Sequence, residues 1–387
     1  MNLRTLGVFS CIFALCIIAV LVAQAQTESV LYRFAGTPDG ANPLAVLAEA
    51  KSNLYGTTNV GGANGWGTVF KLTRTGTETI LHSFAYDGTD GVYPYFSGVV
   101  FDKSGNLFGA TALGGTDNSG TVYEITPSGT ETILHSFVSN GIDGLYPYGG
   151  VVLDRSGNIY GTTFQGGSYN CGTVYRVTPT GSEAVLYSFA GGTDGRWPFA
   201  DDLFLWENKV LYGTTLDGGV SGYGTVFSLT LSGKETVLHS FANGSSDGAY
   251  PYAGVVLDKD GNIYGATSGG GPSNKGTVYK ITPTGSESVV YFFGAYESDG
   301  SGPSGELIFD KSGNLYGTTI YGGAYGDGTV FEITSSGTET VLHSFDNNGA
   351  DGANPWAGLV LGQKNTLYGT TYSGGTDNHG TVFKVVP

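Results

Sequence analysis

One tetrapeptide, Gly-Thr-Val followed by Phe or Tyr, recurs at near-constant spacing along the chain. It begins at Gly67, Gly120, Gly172, Gly224, Gly276, Gly328 and Gly380. The first interval is 53 residues and the next five are 52 residues each. A fixed period of this length is typical of folds in which every repeat is one structural unit packed on the next. The sequence therefore predicts seven similar units.

Each period contains four short strand candidates separated by turn residues. In the third period they are residues 150–154, 158–163, 173–178 and 183–189, named A, B, C and D here. The A–B and C–D links have the length and the Gly, Ser and Asn content of tight hairpins. With 66 Gly, 25 Tyr and only 13% charged residues, the composition also favours an all-β fold. We therefore predict a seven-bladed β-propeller with one four-stranded antiparallel blade per repeat.

The two ends of the repeat array are complementary. A lone D-like strand, residues 30–34, precedes the first A strand, whereas no D strand follows the last C strand at residues 381–385. The N-terminal strand is therefore expected to complete the seventh blade and close the ring, because an open array would leave unpaired edges. On this interpretation residues 26–387 form the propeller.

The first 25 residues have the pattern of a signal peptide. Arg4 precedes an apolar run from Val8 to Val22, which ends in Ala23-Gln24-Ala25. We expect cleavage after Ala25, with a retained N-terminal anchor as the alternative. Cleavage would leave Cys171 as the only cysteine, so no intrachain disulfide is expected. With no C-terminal anchor segment, the expected location is extracellular or periplasmic. The formal charge of −16 argues against nucleic acid and, after cleavage, against an anionic membrane.

The repeat resembles a known family. Leu54-Tyr55-Gly56-Thr57-Thr58, then Gly61-Gly62, then Gly65-Trp66-Gly67-Thr68-Val69-Phe70, matches the hallmark of bacterial GloVer-repeat proteins and recurs in all seven repeats. The resemblance implies an exported bacterial protein. It brings no activity and no catalytic residues.

Residues that recur in every repeat are expected to serve the blade. His82, His135, His239 and His343 share a D-strand position with Tyr32, Tyr187 and Tyr291, so the position favours a flat ring with a polar tip. Tyr at three sites argues against a set of metal ligands. An Asp-Gly-x-x-Pro motif recurs in each D–A loop, at Asp39, Asp90, Asp143, Asp194, Asp247, Asp299 and Asp351. The Asp is expected to cap its turn, with Gly at positive φ. The alternative is a ring of carboxylates around a cation such as calcium.

One position of the B–C loop accepts only Gly or Asn. The seven residues there are Gly65, Asn118, Asn170, Gly222, Asn274, Gly326 and Asn378. This choice predicts a left-handed backbone.

Residues that break the symmetry are the candidates for function. Strand alternation places the long, diverse D–A and B–C loops on one face, where binding is expected. On that face the residue before the loop Pro is aromatic in blades 2 to 5, at Tyr93, Tyr146, Trp197 and Tyr250, which we call the aromatic arc. Such rings suit sugars or peptides, although they could instead pack between loops.

Two carboxylates also break the symmetry, at the start of the innermost strand. Ala45, Gly98, Gly150, Gly254 and Gly358 are small, as crowding at the axis demands, whereas Asp201 and Glu306 stand there in blades 4 and 6. Two converging carboxylates are the minimum for glycoside hydrolysis. The alternative is a solvated pair, with Arg196 nearby.

The sequence therefore favours an exported, non-catalytic, monomeric propeller that binds a carbohydrate or a peptide. The arc would supply the rings, and Arg196, Asp201 and Glu306 the polar contacts. The alternatives are a glycoside hydrolase or lyase that uses Asp201 and Glu306, and a cell-surface protein-interaction scaffold. No cofactor is expected, and a quinone enzyme is disfavoured because the repeats lack a regular Trp.

Overall fold

The computed structural model describes residues 27–199 and 203–387, and within these ranges the chain is all-β. Seven four-stranded antiparallel sheets follow one another around a ring, so the predicted seven-bladed propeller is confirmed. Two short 3-10 turns, Gly192–Asp194 and Gln363–Asn365, interrupt the loops. No helix in the described ranges is both long and apolar enough to span a membrane. The predicted signal peptide lies outside the described residues.

The strands keep the same order in every blade, from A at the axis to D at the rim. The A strands are Ala48–Ala50, Val100–Phe101, Val151–Leu153, Phe204–Trp206, Val256–Leu257, Ile308–Phe309 and Val360–Leu361. The B strands are Asn53–Thr58, Leu107–Thr111, Ile159–Thr163, Val210–Thr215, Ile263–Thr267, Leu315–Gly322 and Leu367–Thr371. The C strands are Thr68–Thr73, Thr121–Ile125, Thr173–Val177, Thr225–Thr230, Thr277–Ile281, Thr329–Ile333 and Thr381–Val386. The D strands are Glu78–Ser83, Glu131–Ser136, Glu183–Ser188, Glu235–Ser240, Glu287–Phe292 and Glu339–Ser344, with Thr27–Arg33 in blade 7.

The ring closes through the N-terminal strand, as predicted. Thr27–Arg33 pairs antiparallel with the last C strand, so that Thr27 lies opposite Val386 and Arg33 opposite Thr381. Blade 7 is therefore assembled from both ends of the chain, and the edge of its C strand is covered.

The D–A and B–C loops lie together on one face, as the strand alternation predicts. Short two-residue strands join them by backbone hydrogen bonds: Gly40–Ala41 with Val60–Gly61, Gly91–Val92 with Leu113–Gly114, Gly144–Leu145 with Gln165–Gly166, Gly248–Ala249 with Gly269–Gly270, and Gly352–Ala353 with Ser373–Gly374. In blade 6 the strand Gly300–Pro303 pairs directly with the long B strand, and in blade 4 a bridge joins Arg196 to Asp217. These ladders tie both loops into one surface.

The core lies between blades. At every junction a Phe that follows the D strand meets the C-strand aromatic of the next blade edge-to-face, as in the Phe84–Tyr123 pair with ring centroids 5.3 Å apart. Val69, Phe84, Val99, Leu107 and Tyr123 are all buried in one such cluster, which spans blades 1 and 2. Burial of apolar area between blades therefore stabilises the ring.

Candidate binding face

The Asp of each D–A loop caps the loop, as the Asp-Gly motif predicts. At Asp143, Oδ1 accepts a hydrogen bond from Gly144 N–H at 2.7 Å and Oδ2 accepts one from Val138 N–H at 3.0 Å. The expectation of positive φ at the following Gly is wrong for six of the seven blades, since only Gly195 has one, at 93°. Space is the reason for glycine elsewhere: a Cβ on Gly144 would overlap the side chain of Thr163.

The His or Tyr of each D strand points its polar tip at that same Asp. The Oη atom of Tyr187 donates to Asp194 Oδ2 at 2.8 Å, and His135 Nε2 lies 3.3 Å from Asp143 Oδ2. The flat ring with a polar tip is therefore confirmed. Sequence reasoning treated the His/Tyr position and the Asp position as separate features, although they form one contact.

The Gly/Asn position of the B–C loop has positive φ in all seven blades, from 51° at Asn274 to 89° at Gly326. The predicted left-handed backbone is confirmed. Where Asn occurs, its side chain adds a contact, since Asn118 Oδ1 accepts from Gly114 N–H at 3.0 Å.

The residue before each loop Pro also has positive φ, from 55° at Asn42 to 65° at Gly302. Its N–H donates to a carbonyl in the preceding B–C loop, as from Tyr93 to Trp66 at 3.0 Å and from Trp197 to Cys171 at 2.8 Å. This backbone bond fixes the direction of every arc side chain. Sequence reasoning missed the strained φ, because Tyr and Trp rarely adopt it. Asn42, Gly302 and Asn354 at the same position were the signal that could have shown it.

The four rings of the aromatic arc pack mainly against neighbouring loop aromatics. Tyr93 meets Trp66 at 5.2 Å and Tyr250 meets Tyr223 at 5.6 Å, both edge-to-face. Tyr250 keeps 39% of its surface exposed.

Trp197 is held from two sides. It stacks on Phe164 with centroids 5.6 Å apart, and the guanidinium of Arg196 lies 4.3 Å from its ring. Arg196 in turn forms an ion pair with Asp217 at 3.0 Å. Both predicted binding residues therefore also have packing roles in the loop.

A second set of rings, which sequence reasoning missed, surrounds the axis. Five of them directly follow the loop Pro, and the sixth, Phe96, follows Tyr95. They form a closed circuit of ring contacts with centroids 4.9 to 6.4 Å apart: Tyr95, Tyr148, Phe199, Tyr252, Trp356 and Phe96. We call these six residues the aromatic plate. Phe96 is buried and also contacts Phe199 across the circuit at 5.3 Å. The other five rings are half-buried.

Phe96 is the extra residue of blade 2. Val100 follows Pro94 by six positions, whereas Val152, at the equivalent place opposite its B strand, follows Pro147 by five. This one-residue excess matches the 53-residue first interval, so the irregular spacing was the signal that could have identified it. Tyr148 C=O accepts a hydrogen bond from Phe96 N–H at 3.0 Å, which holds the ring at the centre.

Tyrosine hydroxyls line the plate. Burial raises the pKa of Tyr95, Tyr148 and Tyr252, and neighbouring tyrosine hydroxyls raise it further, including those of Tyr372 beside Tyr95 and Tyr321 beside Tyr252. The plate therefore presents neutral hydroxyls, each able to donate and accept a hydrogen bond.

Glu306 lines a central cavity of about 640 Å³ that follows the A strands. Most of the lining is aliphatic, including Val100, Val152 and Ile308. The plate residues precede the A strands and meet across the axis, so the plate caps this channel at the loop face.

The start of the innermost strand is as crowded as predicted: a Cβ on Gly98 would lie 2.7 Å from Val46 O. Strand pairing changes which residue of blade 1 is equivalent to Gly98, however. Ala48 lies opposite Tyr55 as Val100 lies opposite Phe108, so Val46, not Ala45, corresponds to Gly98.

The second predicted carboxylate, Asp201, lies outside the described residues. Because Leu203 precedes Phe204 as Leu307 precedes Ile308, the sequence counterpart of Glu306 in blade 4 is Asp202, which also lies outside them. The structure therefore does not define the distance from Glu306 to Asp201 or to Asp202, which a hydrolase mechanism would require.

Fold, repeat and loop face together define a closed tandem-repeat propeller with an aromatic surface at its axis. The chain belongs to the Gloeobacter/Verrucomicrobia repeat family, whose model matches residues 17–154, 134–308 and 288–387. The resemblance drawn from the repeat hallmark is thus confirmed. No curated protein sequence matches the chain.

Solved structures resemble the chain in fold. The extracellular domain of a proposed hybrid two-component system from B. thetaiotaomicron has a TM-score of 0.56 at 11% identity, covering 92% of this chain. This chain spans 39% of that structure's length. A proposed 6-phosphogluconolactonase from Bacteroides uniformis has a TM-score of 0.52 at 15% identity, covering 82% of this chain and 89% of its own. At such identities the likeness shows the propeller fold alone.

Proposed function

We propose that the loop face of this propeller is a non-catalytic carbohydrate-binding surface centred on the aromatic plate. The observation that carries the proposal is the closed circuit of six ring contacts at the axis, with five half-buried rings. The aromatic arc would extend the surface outwards, and Arg196 and Glu306 would supply polar contacts from the loop and from the channel.

The fold does not require aromatic residues at these positions. The residue after the loop Pro is Leu44 in blade 1 and Ser304 in blade 6, and both blades still form the A, B, C and D strands. The aromatic choice in the other blades therefore supports a binding role beyond packing.

The chemistry of the plate suits a sugar. Flat ring faces offer contact area to the C–H face of a pyranose, and neutral tyrosine hydroxyls exchange hydrogen bonds with its hydroxyls. The six plate side chains themselves carry no charge, which favours a neutral ligand over an ionic one.

A glycan array with the mature protein, followed by calorimetry on the best ligand, tests the proposal. Tyr148→Ala and Trp356→Ala should each weaken binding by about 1–3 kcal/mol. The matched control is Tyr325→Ala, a loop tyrosine that is 62% exposed and outside the plate. Unchanged affinity in both plate variants would refute the proposed site.

Two other results would redirect the proposal. Binding to peptides but not to glycans would favour peptide recognition on the same surface or a protein-interaction scaffold. Turnover of a bound oligosaccharide that is lost in Glu306→Gln would favour the hydrolase, since that reaction needs a carboxylic acid at the bond.

As part of this proposal the protein acts outside the cytoplasm after removal of residues 1–25. N-terminal sequencing of the exported protein should begin at Gln26. A retained segment would instead indicate an anchored form.

A further inference from the structure

Four of the seven blade junctions bring one histidine and two carboxylates together. The His comes from a D strand, the Asp from the D–A loop that follows it, and the Glu from the D strand of the next blade. The sets are His82, Asp90 and Glu131; His135, Asp143 and Glu183; His239, Asp247 and Glu287; and His343, Asp351 and Glu28. In each set one potential ligand atom per residue lies within 4.8 Å of the other two.

The spacing fits a tetrahedral zinc ion. Zn²⁺ binds imidazole nitrogen and carboxylate oxygen at about 2.0–2.2 Å, so two ligands of a tetrahedron are roughly 3.3 Å apart. His82 Nε2 lies 3.2 Å from Asp90 Oδ2 and 3.7 Å from Glu131 Oε1. At the other three junctions the His–Asp distance is 3.3, 3.3 and 2.9 Å. At the His82 junction a small contraction of these distances would bring three ligands to tetrahedral spacing, leaving the fourth position for water. At the other three junctions the three ligand atoms lie within 4.8 Å of one another.

Each set also contains a buried oxygen that lacks a hydrogen-bond donor. The Oε1 atoms of Glu28, Glu131, Glu183 and Glu287 are buried without a hydrogen-bond partner among the described residues. The same holds at the other three junctions for Oε1 of Glu78, Glu235 and Glu339, so the His supplies the difference between the two kinds of junction. Asp90, whose side chain is only 10% exposed, has an unpartnered Oδ1 as well. No Lys or Arg in the described part of the chain forms an ion pair with these carboxylates. Buried carboxylates without a donor are costly, and a cation would offset that cost.

The three remaining junctions provide an internal contrast. These junctions also contain the loop Asp and a Glu at the start of the next D strand, but a Tyr stands in place of the His. At one of them Tyr187 donates a hydrogen bond to Asp194, and Glu235 begins the D strand of the next blade. A protonated phenol is a poor zinc ligand. Metal binding through the full set is therefore restricted to the four His junctions. Each histidine belongs to a separate site, so Tyr at the other three junctions does not interrupt any of the four ligand sets.

We infer that the four His–Asp–Glu junctions are zinc sites that clip neighbouring blades together. Zn²⁺ would take the place of the proton between His Nε2 and the Asp oxygen that it contacts, which is Oδ1 at Asp247 and Oδ2 at the other three sites. It would also be bound by the Glu carboxylate from the next blade. The site formed by Glu28, His343 and Asp351 joins blade 6 to the N-terminal strand, so metal there would secure the closure of the ring.

Titration of untagged, chelator-treated full-length mature protein with Zn²⁺, followed by calorimetry, tests the inference. Four sites per chain are expected, and Zn²⁺ should raise the melting temperature. Co²⁺ in place of Zn²⁺ should give the visible absorption of tetrahedral nitrogen–oxygen ligation. Absence of binding, or stoichiometry below one per chain, would overturn the inference.

Variants that the fold already accommodates make the test specific. His135→Tyr copies the residue found at three junctions, so it should fold normally and lower the stoichiometry from four to three. Tyr187→His should raise it to five. His379→Ala removes the one histidine outside these sets and should leave four sites. Stoichiometry unchanged in both His135→Tyr and Tyr187→His would show that the metal binds elsewhere.

Discussion

The His or Tyr side chain near the end of each D strand makes two contacts at once. The ring packs on the Phe two residues later, as His135 does on Phe137 at 4.7 Å, while its polar tip reaches the capping Asp. Both His and Tyr satisfy these demands, which explains the alternation in the sequence. The partner was not predicted because it lies in the following loop, eight positions away at His135 and seven at Tyr187.

The Tyr junctions predict an unusual dependence of stability on pH. Burial, and then the charge of Asp39, raises the pKa of Glu78 to about 7, and burial with Asp194 does the same for Glu235. A carboxyl group with a raised folded-state pKa stabilises the fold fully below its unfolded pKa, near 4.3. That contribution is lost as the pH rises through about 7. We therefore expect the melting temperature of metal-free protein to fall between pH 5 and pH 8.

Glu78→Gln isolates this effect, because a neutral amide cannot ionise. The variant should lose less melting temperature than the parent over the same pH interval. Glu297→Gln, on an exposed loop, is the control and should follow the parent. An identical pH profile for Glu78→Gln and the parent would show that Glu78 does not contribute.

At the level of single residues, sequence reasoning found the loop face but only part of its surface. It identified Tyr93, Tyr146, Trp197 and Tyr250 from the symmetry of the motif. It missed the plate because its rings meet across the axis, and contacts between blades cannot be read from one repeat.

At the level of strands, a glycine in each B strand leaves room for the aromatic residue of the C strand. Gly109 lies opposite Tyr123, and a Cβ there would overlap the Tyr123 hydroxyl. Its φ is not in the left-handed region, so space and not backbone freedom requires glycine. This explains why the central Gly of the Tyr-Gly-Thr hallmark is present in all seven repeats, including the variants Phe108-Gly109-Ala110 and Tyr264-Gly265-Ala266.

Gly109→Ala should therefore destabilise the protein by about 1–3 kcal/mol, as overpacking of a core does. Denaturant unfolding measures the change. Tyr123→Phe in the same chain removes the nearer overlapping atom, Oη, but keeps Cζ at 2.6 Å, so it should recover only a small part of the loss. Phe at this position in blades 1, 4, 6 and 7 shows that the fold accepts the substitution itself. Equal losses in the single and double variants would show that the hydroxyl is not the obstacle.

Strand identity was predictable from the sequence, but strand length at the axis was not. The predicted third D strand, 183–189, is observed as Glu183–Ser188, whereas the predicted A strand, 150–154, is only Val151–Leu153. Hairpin residues mark the outer strands clearly. The A strand lines the central channel, whereas the D strand, which likewise has a partner on one side only, lies at the rim.

For the whole molecule, ring closure predicts that disulfides at equivalent positions in blades 7 and 1 will stabilise the fold by different amounts. Ser29 lies opposite Lys384 in blade 7 just as Thr79 lies opposite Lys71 in blade 1. A disulfide between cysteines at the first pair would close a loop of almost the whole chain, and one at the second pair only a hairpin. Chain entropy makes the first more stabilising by about 3 kcal/mol.

Both disulfide variants should be built with Cys171→Ser, which removes the unpaired thiol, and compared by denaturant unfolding with and without reductant. The reduced forms serve as controls for the substitutions themselves. Equal stabilisation by the two disulfides would mean that the ends remain associated in the unfolded chain.

The closing strand also sets an order in time. Pairing within blades 1 to 6 joins residues of one repeat, but Thr27–Arg33 waits for Thr381–Val386, which is synthesised after every other strand of the ring. Contacts so distant in sequence form slowly, because the entropy of bringing the ends together must be overcome first. Until then the last C strand exposes an unpaired edge that a second molecule could occupy. The nascent chain is therefore most prone to misassembly between the synthesis of that C strand and its pairing with Thr27–Arg33.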